Sequence, residues 1–222
     1  MSGKLLFSIC KLKYFVFPKR CPFCDAVIGN DDFACSDCKS DLPEKGYVTY
    51  TSSGVRCVSP FLYDGVYAKA VRLLKFHNRK YYTDTLAHFI AKEVKRQYSN
   101  IQFDIITSVP RYKGENRKSQ NCSKRLAIAV ARILNIRYEE TLIKDKQNQK
   151  QHNLPRTMRK TNVQGVYKLK DEALVKGKRV LICDDIITTG FTLGECCTVL
   201  KSAKPTLLFC CSLCTAPKFR KA

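Results

Sequence analysis

Acidic side chains are scarce in this chain. Its 222 residues hold 19 Asp+Glu against 40 Lys+Arg, a formal net charge of +21 at neutral pH. A neutral partner surface does not explain that imbalance, so anionic partners are expected. Long apolar runs are missing too. Nowhere do eighteen apolar residues follow one another, which leaves no transmembrane helix and excludes membrane insertion. Neither an internal repeat nor a low-complexity tract is present, so a repeat array is excluded. A cleavable export signal is not expected either. Leu5, Leu6, Phe7 and Ile9 follow a lysine, but Lys11 and Lys13 interrupt the run and no small-residue cleavage site follows. The thirteen cysteines then belong to a cytoplasmic chain, where an odd number cannot make a disulfide framework. Metal and burial remain.

What is present fits a globular protein. A hydrophobic share of 45% is too high for a disordered basic tail, and the length suits one ordinary domain with a small satellite. The satellite is marked by Cys21-Pro22-Phe23-Cys24 and, ten residues later, Cys35-Ser36-Asp37-Cys38. Two such knuckles let four thiolates close a tetrahedron around a structural Zn²⁺, leaving no open position for chemistry. Four separate buried or reactive cysteines are the alternative. Phe23, Val27 and Phe33 would supply the few apolar contacts, and metal would stand in for a core. Pro43 through Arg56 reads as a linker. Before residue 46 there are seven Lys+Arg and six Asp+Glu, against 33 and 13 afterwards, so the basicity belongs to the second unit. A zinc ribbon over 1–45 and a larger domain over 46–222 are expected.

The larger domain alternates helices and strands. Ala70, Leu73 and Leu74, then Leu86, Phe89, Ile90 and Val94, fall at helical spacing on either side of Asn78. Phe103 to Val109 is a short β-rich run stopped by Pro110. Leu126, Val130, Ile133 and Leu134 predict a third helix. Val180 to Cys183 and Thr206 to Leu213 read as parallel strands covered on both faces. The pattern predicts a doubly wound α/β sheet, which binds ligands at the carboxyl ends of its strands.

At the end of the first of those apolar runs stand Asp184 and Asp185, followed by Thr188-Thr189-Gly190-Phe191-Thr192. Paired carboxylates there suit the two vicinal hydroxyls of a ribose. A hydroxyl-rich turn opening a helix suits a phosphate, with Gly190 permitting close approach. The Gly-x-Gly of a dinucleotide fold and the Gly-Lys-Thr of a Walker loop are both missing. An Asp-Asp helix cap followed by ordinary threonines is the bland alternative.

Val180 to Leu193 resembles the phosphoribosyl pyrophosphate (PRPP) signature of type I phosphoribosyltransferases. Over nearly its whole length the chain resembles the ComF-type competence protein family, which joins a four-cysteine zinc module to such a domain. Leu74-Lys75-Phe76, Val109-Pro110-Arg111, Gln151-x-x-Leu154 and Arg159-x-x-Asn162-Val163-x-Gly165-x-Tyr167 carry that likeness. Lys118-Ser119-Gln120-Asn121-Cys122 departs from the family's Arg-Gly-aromatic-Asn-Gln, losing a glycine hinge and a terminal glutamine while Lys118 keeps a positive charge.

The resemblance implies PRPP with Mg²⁺ as ligand. Asp184 and Asp185 would hold the ribose, Thr188, Thr189, Gly190 and Thr192 the 5′-phosphate. Arg111, with Lys113, Arg117 or Lys118, would neutralise pyrophosphate. In a chain this basic, any of these loop cations is as easily plain solvated surface. The resemblance further implies DNA uptake with a helicase-like partner. A second reading is a non-catalytic accessory that binds single-stranded DNA. Nineteen basic and six acidic residues between Arg111 and Arg179 favour it, and Tyr63, Tyr67, Tyr81 and Tyr82 are candidates to stack bases. His77, His88 and His152 lie at unrelated spacings and read as packing or exposure. Cys210, Cys211 and Cys214 look like half a metal site, but in an apolar strand they read as buried, as do Cys196 and Cys197.

Overall fold

A computed structural model of the chain describes residues 18–76, 81–112, 121–145 and 165–217. The helices are α1 (Ser36–Ser40), α2 (Gly65–Phe76), α3 (Tyr82–Gln97), α4 (Cys122–Leu134) and α5 (Phe191–Ser202). A seven-stranded sheet is built from β1 (Tyr47–Tyr50), β2 (Arg56–Ser59), β3 (Phe61–Leu62), β4 (Ile105–Ser108), β5 (Arg137–Tyr138), β8 (Arg179–Ile187) and β9 (Leu207–Thr215). The order is β1-β2-β9-β8-β4-β5, with β3 alongside β9, and every pairing except β1–β2 is parallel. A separate antiparallel pair joins β6 (Leu142–Lys144) to β7 (Tyr167–Leu169).

The Val180–Cys183 stretch of β8 is uniformly apolar because both its faces are covered. Leu181 and Cys183 join a core with Leu86 and Ile90 of α3 and Leu126 and Val130 of α4. Val180 and Ile182 point the other way, into a second core with Leu193, Cys196 and Leu200 of α5. This is the expected doubly wound arrangement. The cysteines of β9 and α5 are buried, as read.

Three local expectations fail. Residues read as a linker instead form the β1–β2 hairpin, in which Val48 faces Val58 and Tyr50 faces Arg56. Ile133 is 37% exposed, and Ala127 and Ala131 fill the buried stripe of α4 in its place. Val27 is 59% exposed, so it adds nothing to the metal module's packing.

That module has a core after all, but a shared one. Phe23 is buried among Phe61, Tyr67 and Phe89, with ring centroids 5.6, 5.3 and 5.8 Å away. Phe33 stacks on His88 of α3 at 3.5 Å, and Tyr82 donates a hydrogen bond to Asp25. Tyr67 and Tyr82 are therefore spent on packing rather than offered to bases. Tyr81 stays exposed.

Candidate functional site

Strand β8 delivers the acidic doublet in two different environments. Asp184 is 8% exposed. Its Oδ1 accepts a 2.7 Å hydrogen bond from the Ser123 hydroxyl on α4 and a 2.9 Å bond from the Asp185 N–H. Burial, reinforced by the Asp185 charge, pushes the Asp184 carboxyl up to about 7, although Ser123 and Lys75 favour the ionised form. Asp185 faces Lys75 of α2, with Nζ 2.8 Å from Oδ2. Burial disfavours the Lys75 ammonium, but the charge and hydrogen bond of Asp185, with the Asp184 charge, together outweigh it and hold the proton on more tightly than usual.

The Asp184 environment has a measurable consequence. The folded chain retains this proton from 3.8, the ordinary carboxyl value, up to about 7, so it binds more protons than the unfolded chain in that window. The contribution is fully present below the lower value and is lost as pH rises through the upper one. At roughly 1.4 kcal/mol per unit, a loss of a few kcal/mol is expected. Melting curves from pH 4 to 8 should show wild type losing stability more steeply than Asp184→Asn, which cannot titrate.

Beyond β8 the chain turns through Thr188 and Thr189 to Gly190, which caps α5 in the left-handed region at φ 72°. A small concavity runs from Asp184 through Leu193. Within it the Thr189 hydroxyl is buried without a hydrogen-bond partner among the described residues, as are those of Thr49, Thr83 and Thr215 elsewhere. The β1–β2 turn buttresses this loop: the Ser52 N–H and hydroxyl donate to the Gly190 carbonyl at 3.2 and 3.3 Å. A Cβ on Gly190 would sit 3.0 Å from Thr51 Cα, and one on Gly194 only 2.0 Å from Ser52 Oγ. Gly190→Ala should therefore cost at least the ~1–2 kcal/mol of a left-handed non-glycine residue. A lowered urea midpoint is the check.

Arg111 lies just past the carboxyl end of β4. Ser108 pairs with Cys183 in parallel register, and the Val109 N–H donates to the Cys183 carbonyl at 3.2 Å, so this loop starts beside the doublet. Lys113, Arg117 and Lys118 fall outside the described residues. So do His77, His152, Gln151, Leu154, Arg159, Asn162 and Val163. Gly165 is described, and its N–H donates to Glu195 of α5 at 2.8 Å. Thr192 sits in the first turn of α5.

Sequence reasoning assigned no role to Lys75 or Ser123. Lys75 had a signal in the Leu-Lys-aromatic element. Ser123 had none, because a serine in a helix's first turn is ordinary.

The other cluster is metallic in character. The sulfurs of Cys21, Cys24, Cys35 and Cys38 all lie within 4.8 Å of one another. A tetrahedron of ~2.3 Å Zn–S bonds places sulfurs nearly 4 Å apart, so the set fits Zn²⁺. The Arg20–Val27 bridge and α1 shape the two knuckles, and Cys35 also caps α1.

Residues 85–222 match the phosphoribosyl transferase domain family, and residues 12–48 match the double zinc ribbon domain. Curated relatives are named DNA utilization protein YhgH. The one from Escherichia coli O6:H1 is 26% identical over 87% of this chain and 82% of its own length. The one from Salmonella typhi is 28% identical with the same coverage. Among solved structures, the purine phosphoribosyltransferase from Pyrococcus horikoshii Ot3 is 20% identical, with a TM-score of 0.40 over 64% of this chain and 78% of that one.

Proposed function

The chain belongs to the phosphoribosyl transferase domain family, in the ComF-type order with a zinc ribbon ahead of that domain, and on this premise we propose that it binds PRPP and transfers its phosphoribosyl group in the service of DNA utilization. The observation that carries this reading is the acidic doublet on β8 followed, three residues after Asp185, by a hydroxyl-rich, glycine-capped loop that opens α5. A 5′-phosphate accepts hydrogen bonds from that loop and from the free N–H groups of α5. Asp184 and Asp185 accept from the ribose hydroxyls and stabilise positive charge on the ring as the C1–pyrophosphate bond breaks and the acceptor bonds to C1.

Lys75 keeps Asp185 aimed while Ser123 holds Asp184. Arg111, with Lys113, Arg117 and Lys118, balances the departing pyrophosphate. Mg²⁺ brought in with PRPP would spread the leaving group's charge while keeping most of its waters. The four cysteines would hold a structural Zn²⁺ with no open position for chemistry. Among the described residues no helix is long and apolar enough to cross a membrane. We assign the protein to the cytoplasm, where PRPP and Mg²⁺ are available, with a helicase-like partner in DNA uptake.

Calorimetric titration with PRPP tests this directly. Saturable binding that requires Mg²⁺ is expected, followed by pyrophosphate release with one member of a panel of bases and single-stranded DNA. An absence of binding at millimolar PRPP would refute the reading.

A further inference from the structure

Two concavities lie away from the doublet. One, of about 430 Å³, opens between β2 and β9 and is lined by Arg56, Lys201 and Lys204 above an apolar floor that includes Leu208 and Phe209. It exists because the two strands part company. They are paired only at Cys57–Cys210 and Val58–Cys211. Just before that pairing the Tyr98 hydroxyl bridges them, donating toward the Arg56 and Cys210 carbonyls at 3.2 and 3.1 Å.

A second concavity, of about 470 Å³, is lined by Lys95, Phe103 and Arg179. The two adjoin. Arg179 of the second is the register partner of Leu207 in the first, and Phe103 and Phe209 meet edge to face at 6.2 Å. The turn carrying Lys176 and Lys178 is tied to the same rim, because the Gly177 N–H donates to the Lys204 carbonyl and the Thr206 N–H to that of Lys178. No acidic side chain lines either concavity. Asp104 pairs with Arg179 at 2.6 Å, so the lysines rather than Arg179 carry the positive rim, and Glu93 pairs with Arg96 at 2.7 Å.

All of this sits at the amino ends of β8 and β9, opposite the doublet. We propose that this pole is a binding surface for a single nucleic-acid strand. The lysine rim takes the phosphates, and the apolar floors take base faces. Apolar floors beside a lysine rim suit the exposed base faces of a single strand, which a duplex keeps stacked inside. The strand thus occupies a site separate from the pentose site, and both can be filled together. The inference stands apart from the PRPP reading, since it uses none of that site's residues.

The test uses the full chain and a fluorescent thymidine oligomer, titrated by anisotropy across a salt series. Lys176→Gln, Lys201→Gln and Lys204→Gln combined should weaken binding at least tenfold. They should also flatten the log-affinity against log-salt slope by about two, at ~0.7 per phosphate contact. Lys39→Gln, Lys45→Gln and Lys69→Gln remove the same charge from exposed positions elsewhere and should leave the slope nearly unchanged. Calorimetry with PRPP should not distinguish the two triples, and saturating PRPP should not displace the oligomer. Equal loss in both triples, displacement by PRPP, tighter binding of duplex than of single strand, or a loss seen only with anionic vesicles would overturn the proposal. Because Lys201 also donates to the Ser53 carbonyl, melting curves of both triples accompany the titrations, and Lys176→Gln with Lys204→Gln alone should still flatten the slope by more than one.

Discussion

Replacing Asp184 and Asp185 together by asparagine lowers PRPP affinity at least a hundredfold. Each carboxylate offers charge-assisted hydrogen bonds to hydroxyls, worth roughly 1.5–3 kcal/mol apiece, and two such losses make the factor. A plain charge argument predicts the reverse. PRPP is a polyanion, and at pH 8, above the Asp184 value of about 7, removing the doublet's negative charge beside it should tighten binding, more so because Lys75 would lose its 2.8 Å partner and face the ligand alone. The sign of the effect therefore separates a ribose clamp from a general anion trap. Calorimetry on the double variant decides it, and unchanged or tighter binding would falsify the assignment. Unfolding curves guard against misfolding, since Lys75 is left without its ion pair. Lys75→Met in the same background removes that burden and should not restore affinity.

Cys21→Ser should empty the metal site and destabilise the whole chain, not only its first forty residues. Structural zinc is worth roughly 10–16 kcal/mol in isolated finger peptides, comparable to the ~5–15 kcal/mol that holds a typical domain together. Phe23 lies between Cys21 and Cys24 and is buried among rings of β3, α2 and α3. Losing the knuckle removes that anchor. At ~2–4 °C per kcal/mol for a chain of this size, a fall in melting temperature of more than 10 °C is expected, along with loss of zinc in a chromogenic chelator assay. Phe23→Ala separates the two contributions. It should keep its zinc yet lose ~3–5 kcal/mol, the usual range for a large ring removed from a core. A Cys21→Ser protein that keeps its melting temperature would show that the module merely rests on the domain.

The features legible in the sequence were those with local causes. Val180 to Cys183 announced a covered strand because both faces demand apolar side chains, and the turn after it announced a loop because threonine and glycine have few other reasons to alternate there. The cysteine knuckles were legible for the same reason. Where the cause lies across the fold, the sequence is silent. Tyr47–Tyr50 is a short edge strand whose Tyr-Val-Thr-Tyr run is β-prone, but Pro43, Gly46 and Gly54 around it dominate the local pattern and read as a linker. In α4, Ala127 and Ala131 hold the buried stripe by letting neighbours come close, while the larger Ile133 catches the eye and points outward. Lys75 meets Asp185 only through tertiary packing. Ser123 reaches Asp184 from another element entirely.

The fit of Ser52 against Gly194 carries an evolutionary consequence. A side chain on Gly194 would collide with Ser52 Oγ, so drift at one position is constrained by the other despite the many residues between them. Lineages that enlarge the helix position should shrink the hairpin position in step, and swapping either segment alone between distant homologues should give poorly folding chimeras that recover when both are exchanged.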